Sequence, residues 1–142
     1  MKTLLLIGRT GSGKTTLTQV LNKECVQYKK TQAVEVCENI IDTPGEYIEN
    51  RAYYKALIVS SVEADIIAFI QDCTEEESLF PPEFAGAFQK TVIGIITKID
   101  LCKCENSIKR AQKLLEVAGA KKIFKISSTE NSGIDEIKKY IQ

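Results

Sequence analysis

The sequence predicts an α/β protein, a three-layer sandwich in which a mostly parallel sheet of five to six strands carries helices on both faces. Three observations predict it. Short apolar runs such as Leu4–Ile7, Asp65–Asp72 and Val92–Thr97 lack a polar face, as strands buried on both sides do. Helix-like segments separate these runs, which is the order of βαβ units around a parallel sheet. The first run also passes straight into a glycine-rich turn at Gly8 and then into a helix-like segment.

Taken in order, Leu4–Ile7 reads as the first strand and Lys14–Glu24 as the first helix. Thr31–Val36 and Asn39–Asp42 read as a short hairpin turning at Cys37-Glu38. Arg51–Val62 has Leu57, Ile58 and Ser61 spaced for the packed face of a helix. Asp65–Asp72 is the next strand, followed by a solvated loop through Glu75-Glu76-Glu77. Pro81-Pro82 leads into a short helical stretch near Glu83–Phe88, and Val92–Thr97 is another buried strand. In Asn106–Gly119, Ile108, Ala111, Leu114, Leu115 and Ala118 form an apolar stripe and Gly119 stands where a C-cap belongs. Lys122–Ile126 is the last strand and Ile134–Ile141 the last helix. A chain of 142 residues with these elements fits one domain, 1–142.

Residues Gly8-Arg9-Thr10-Gly11-Ser12-Gly13-Lys14-Thr15 match the phosphate-loop pattern G-x-x-x-x-G-K-[ST] throughout, and Thr16 continues it into the helix. The glycines let successive backbone N–H groups curl around phosphate oxygens, and the helix that follows aims its positive end at the same anion. Lys14 is placed to reach the β- and γ-phosphates, and the Thr15 hydroxyl to take one position on Mg²⁺.

Three further segments each close a strand, where open α/β sheets bind ligands. In Asp42-Thr43-Pro44-Gly45, the carboxylate is a candidate Mg²⁺ partner and Gly45 can bring its N–H close to a γ-phosphate. In Thr97-Lys98-Ile99-Asp100, the Lys98 stem can pack over a base, and the Asp100 carboxylate matches the paired N1–H and 2-amino donors of guanine. Adenine lacks that pair. In Ser127-Ser128-Thr129, a backbone N–H can meet the guanine O6 while Ser127 braces the Asp100 loop.

In this order the segments resemble the small GTPase superfamily of P-loop proteins, its Era- and TrmE-like branch in particular. A closer resemblance lies in Asp42-Thr-Pro-Gly-Glu-Tyr-Ile-Glu-Asn-Arg51, Tyr54–Val59, Gln71–Ser78, Phe80-Pro81-Pro82 and Ile93–Asp100. Together these look like the EutP/PduV family of ethanolamine and propanediol utilisation. The resemblance implies a link to bacterial microcompartments, with a shell or pathway protein as partner.

The sequence also departs from a well-behaved GTPase. Only 26 residues separate Thr15 from Asp42, which cramps the first switch; Thr31 is its candidate Mg²⁺-covering threonine, with a solvated loop residue as the other reading. Glu46 follows Gly45 where many GTPases carry a water-orienting Gln, so the candidate catalytic pair, Lys14 and Glu46, predicts slow turnover. Arg9 is expected to point outward from the loop, and Arg51 to pair with Glu46 or Glu49. Tyr47, Tyr53 and Tyr54 read equally as a partner surface or as helix packing.

Composition narrows the alternatives. The net charge is zero, from 19 basic and 19 acidic residues, which gives no footprint for nucleic acid or an anionic membrane. With no apolar run long enough to span a bilayer and no secretory leader, a cytoplasmic protein is expected. The chain has no His, which removes His-based catalysis. Its five cysteines, without a CxxC pair, read as apolar fillers or reduced thiols and argue against zinc. The leading reading is a Mg²⁺–GTP binder with slow hydrolysis that switches residues 43–51. An ATP-binding kinase for a short carboxylate such as acetate, and a non-catalytic nucleotide-binding adaptor, stay open beside it.

Overall fold

The computed structural model describes residues 2–29, 40–102, 104–128, 130 and 132–141, with backbone alone for 22–29. Strand β1 (Leu4–Ile7) is completely buried, as its unbroken apolar run requires. It lies between β2 (Ile40–Asp42) and β3 (Ile66–Asp72); β4 (Thr91–Thr97) pairs with β3, and β5 (Lys122–Lys125) closes the other edge. All the pairings among these five described strands are parallel, giving the order β2-β1-β3-β4-β5. Parallel pairing brings every carboxyl end to one side of the sheet. The register sets Leu6 beside Asp42, Ile7 beside Phe69, Asp72 beside Thr97 and Ile96 beside Lys125.

Alternation along the strands divides the core in two. Leu5, Ile7, Ile67 and Phe69 pack with Leu57 of α3 (Tyr54–Ser61) and with Ala111 and Leu115 of α4 (Glu105–Val117). A nest of aromatic rings, Phe69 with Phe80, Phe84 and Phe88, fills the same face. Leu4, Leu6, Ala68 and Ile70 meet Leu17 of α1 (Lys14–Lys29) and Ile134, Ile137 and Ile141 of α5 (Ile134–Ile141) on the other. The expected three layers are therefore present. Helix α4 ends as expected at Gly119, where Gly119 N–H donates to Glu116 O and Ala120 N–H to Leu115 O, the paired bonds of a Schellman cap.

Two expectations are revised, and a third lies partly outside the described residues. Only the second arm of the expected hairpin is described, as β2, and it runs parallel to β1; Thr31–Val36 lies outside the described residues. The segment read as one helix over Arg51–Val62 is helical, but it opens as a 3-10 turn before the α-helix begins. A one-turn helix α2 (Glu46–Glu49) comes first, Asn50 is extended at φ −132°, and its side chain accepts from Ala52 N–H to start a 3-10 turn, Arg51–Tyr53, ahead of α3.

The second revision concerns the cysteines. Cys73 and Cys102 form a disulfide, whereas Cys104 is a free, exposed thiol as expected. The bridge was invisible in the spacing because 29 positions separate its halves. They meet because β3 and β4 pair and end side by side at Asp72 and Thr97.

Candidate nucleotide-binding site

The phosphate loop leaves β1 at Gly8 and crosses the crevice between β1 and β3, beyond the carboxyl ends of the strands. Gly13 adopts φ +103°, a conformation that an L side chain resists. Its carbonyl accepts from Leu17 N–H at 2.9 Å to open α1, whose first turn carries no acidic residue against an anion. Lys14 is only 6% exposed, and its Nζ donates to Arg9 O at 3.3 Å. Burial pushes the Lys14 ammonium below the usual lysine range, while Asp42 and Glu49 pull it back up. Ser12 Oγ is buried without a hydrogen-bond partner among the described residues. A desolvated cation and an orphaned hydroxyl in one loop are groups that a phosphate would satisfy.

Thr15 and Asp42 come together at the mouth of this loop, Thr15 Oγ1 donating to Asp42 Oδ2 at 3.4 Å. Asp42 is set there by Thr43, which is buried and bonds Leu6 O through both its N–H and, at 2.7 Å, its hydroxyl. Two hard oxygen ligands suit Mg²⁺, which keeps several waters and draws the rest of its shell from phosphates. No larger cluster of His, Cys, Asp or Glu that could hold a metal occurs among the described residues. Thr31 lies outside them.

The next segment presses on the loop. A Cβ on Gly45 would collide with Thr10 N and Oγ1, so only glycine permits this approach. Beyond it, Glu49 on α2 accepts from Thr10 N–H at 3.0 Å. Glu46 is exposed in the first turn of α2, with no bond or ion pair to its side chain among the described residues. The structure thus brings Glu49, weighed in the sequence only as a partner for Arg51, to the loop rather than Glu46. The expected ion pair of Arg51 with Glu46 or Glu49 is also absent among the described residues. Arg9 does point away from the loop, but it pairs with Glu75 at 3.3 Å instead of standing solvated. Tyr47 and Tyr54 pack against the core, with the exposed Tyr53 stacked on Tyr47. Thr16 is exposed on the first turn of α1.

On the far side, the loop after β4 folds over the phosphate loop. Thr97 Oγ1 donates to Ser12 O. Lys98 takes a left-handed backbone, φ 60°, and sends Nζ to Gly11 O at 2.7 Å and to Asp72 Oδ2 at 2.9 Å. Asp72 is itself 5% exposed and held by Thr74, whose N–H and hydroxyl both donate to Oδ1. The 3-10 turn Ile99–Leu101 then presents Asp100, whose Oδ1 accepts from the buried Ser127 Oγ at 2.7 Å. Ser127 N–H goes to Ser132 O, and half-buried Ser128 follows it at the same rim. The only signal for Asp72 in the sequence was its place at the end of a strand.

A sequence model of the family described as ethanolamine utilisation – propanediol utilisation, PduV-EutP, matches residues 1–142. The chain belongs to the PduV-EutP family. It is 45% identical over 137 residues to propanediol utilization protein PduV of Citrobacter freundii, covering 96% of this chain and 91% of that one. It is 30% identical over 143 residues to the probable acetate kinase EutP of Escherichia coli K12, covering 99% and 89%. Among solved structures, translation elongation factor SelB of Methanococcus maripaludis, in complex with the GTP analogue GPPNHP, superposes with a TM-score of 0.65. At 21% identity, over 99% of this chain and 32% of SelB, that likeness shows a shared P-loop GTPase-like fold. This PduV-EutP member therefore carries the fold its phosphate loop predicts, in a family of diol and amino-alcohol utilisation. No helix among the described residues is long and apolar enough to cross a membrane.

Proposed function

We propose that this family member binds Mg²⁺–GTP, hydrolyses it slowly, and uses the bound state to recruit or release a protein of its utilisation pathway, with a microcompartment shell protein as the candidate partner. One observation supports the guanine reading: Lys98 is laid against Gly11 O and Asp100 is braced by Ser127, an arrangement beside the phosphate loop that would suit a base platform and a carboxylate for guanine N1–H and N2–H. Ser127 N–H is engaged with Ser132, so the contact to guanine O6 falls to the Ser128 amide.

Lys14 and the loop amides neutralise the β- and γ-phosphates, and neutralisation is most of what phosphoryl transfer asks of a protein. Thr15 and Asp42 would hold Mg²⁺, which supplies further charge neutralisation across the phosphates. In hydrolysis a water oxygen bonds to the γ-phosphorus as the bond to the β–γ bridging oxygen breaks, releasing GDP and phosphate. Exposed Glu46 holds no fixed position from which to orient that water, and a second carboxylate, Glu49, stands at Thr10. Both features support slow turnover.

The name of the EutP relative favours a second reading, in which the γ-phosphoryl passes to the carboxylate of acetate. Titration with GTP and ATP, with Mg²⁺ present and absent, separates the two. GTP preference, weakened by Asp100→Asn with a gain for xanthosine triphosphate, is expected, because the Asn amide can donate to the xanthine 2-carbonyl. ATP preference unaffected by Asp100→Ala, together with labelled phosphate appearing on acetate, would replace the guanine reading by the kinase.

A further inference from the structure

The Cys73–Cys102 bridge takes no part in the nucleotide contacts above, yet it joins the two turns on which the base loop rests. Cys73 directly follows Asp72, the partner of Lys98, and is completely buried. Cys102 is half-buried and closes the 3-10 turn that presents Asp100. The loop is thus anchored at its start by Thr97 and the Lys98–Asp72 pair, and at its end by the sulfur bridge.

We propose that Cys73 and Cys102 form a thiol–disulfide switch that sets guanine-nucleotide affinity by holding or releasing the Lys98–Leu101 loop. The proposal rests on the guanine reading of Asp100. The reduced form has a ready place: Cys73 Sγ lies 3.0 Å from Lys98 O, so a thiol there donates to that oxygen and remains satisfied. Reduction frees Cys102 and removes the covalent tie at the end of the turn, while the bond of Ile99 N–H to Ile126 O, the Ser127 bond to Asp100 and the Lys98 contacts stay. Asp100 then has more freedom to lose on meeting a base, and affinity falls. Among the described residues one bridge stands beside a free, exposed Cys104, which suits redox response better than a scaffold of disulfides.

The chemistry balances with a low-molecular-weight disulfide as oxidant. The thiolate of Cys102, the more accessible of the two, attacks one sulfur of that disulfide and expels one thiolate. Cys73 thiolate then attacks Cys102 Sγ of the mixed disulfide and expels the second. Two thiols become one S–S bond, and the two protons leave on two small-molecule thiols. A dithiol reverses the process by giving back two electrons and two protons.

The test uses the full chain equilibrated with oxidised glutathione or with dithiothreitol. Thiol titration and peptide mapping report the bridge, and binding is measured for Mg²⁺–GTP and for inorganic tripolyphosphate, which has phosphates but no base. Oxidation is expected to remove two thiols, mapped to Cys73 and Cys102, and to tighten GTP binding about tenfold, within the usual span of coupling between sites. Tripolyphosphate affinity stays unchanged. By reciprocity, saturating GTP makes the bridge about tenfold harder to reduce. Cys102→Ser, at the less buried position, binds GTP like the reduced protein in either buffer, and Cys104→Ser retains the switch. Failure of the bridge to form, or tripolyphosphate affinity falling in step with GTP, overturns the proposal. Equal GTP binding by both forms overturns the switch and leaves the guanine reading standing, whereas tripolyphosphate binding without GTP binding in either form overturns both.

Discussion

Lys14 is the residue on which the largest charge effects converge. Its ammonium is desolvated, so its pKa in the fold lies below that in the unfolded chain. The unfolded chain then holds the proton more tightly, and the stability of the nucleotide-free protein rises with pH between those two values. Nucleotide affinity runs the other way, since the charged form is the one that meets phosphate. Titrations at increasing alkaline pH should show GTP binding declining before an ordinary lysine would titrate, while Lys14→Met removes both slopes. An affinity flat through the lysine range would count against Lys14 as the phosphate cation. Ser127 tests the base side. Ser127→Ala leaves Asp100 without its 2.7 Å donor and should weaken GTP by about 1.5–3 kcal/mol, the worth of a hydrogen bond to a charged group, with tripolyphosphate unaffected. Both residues were legible in the sequence because their motifs are local, spanning a few positions after a strand. Asp72 was not, since its role depends on the β3–β4 register that sets it beside Thr97.

At the scale of elements, the segment from Gly45 to Tyr53 was read least well. The apolar spacing of Leu57, Ile58 and Ser61 signalled a helix, and α3 is there. That periodicity holds no information about the extended Asn50, which divides the segment and turns Glu49 rather than Glu46 toward Thr10. The packing of Gly45 on Thr10 gives a prediction of its own. In Gly45→Ala the added methyl has to displace α2 from Thr10 of the phosphate loop, the side at which the proposed γ-phosphate would lie. GTP affinity should therefore fall more than GDP affinity, by about tenfold in the ratio, a difference of about 1.4 kcal/mol. Equal losses for both nucleotides would show that Gly45 does not sense the γ-phosphate.

For the whole molecule, the two covered faces follow from central strands that are apolar on both sides, which is why the fold class was legible without any long-range information. The Cys73–Cys102 bridge was not, because only the assembled sheet brings its halves together. Stability and ligand binding should be linked through this single sheet. Leu115→Ala empties a fully buried position on α4, and a loss of about 2–5 kcal/mol is expected. Mg²⁺–GTP at about 100 times its Kd should add about 2.7 kcal/mol to the wild type and to the variant alike. Denaturant unfolding with and without nucleotide measures both quantities, and unequal increments would mean that the α4 face reaches the site.

The described strands pair in parallel with no hairpin between them, and this bears on the order in which the protein is made. β1 emerges first, yet its central neighbour begins at Ile66, and the strand that leads to Ser127 begins only at Lys122. The phosphate loop thus waits for β5 to be made before Asp100 and its Ser127 brace can stand beside it. Any nucleotide rescue of folding that draws on both loops must act after β5 has been made. Chains that stop before β5 should keep the phosphate loop in sequence while lacking the grip on a base.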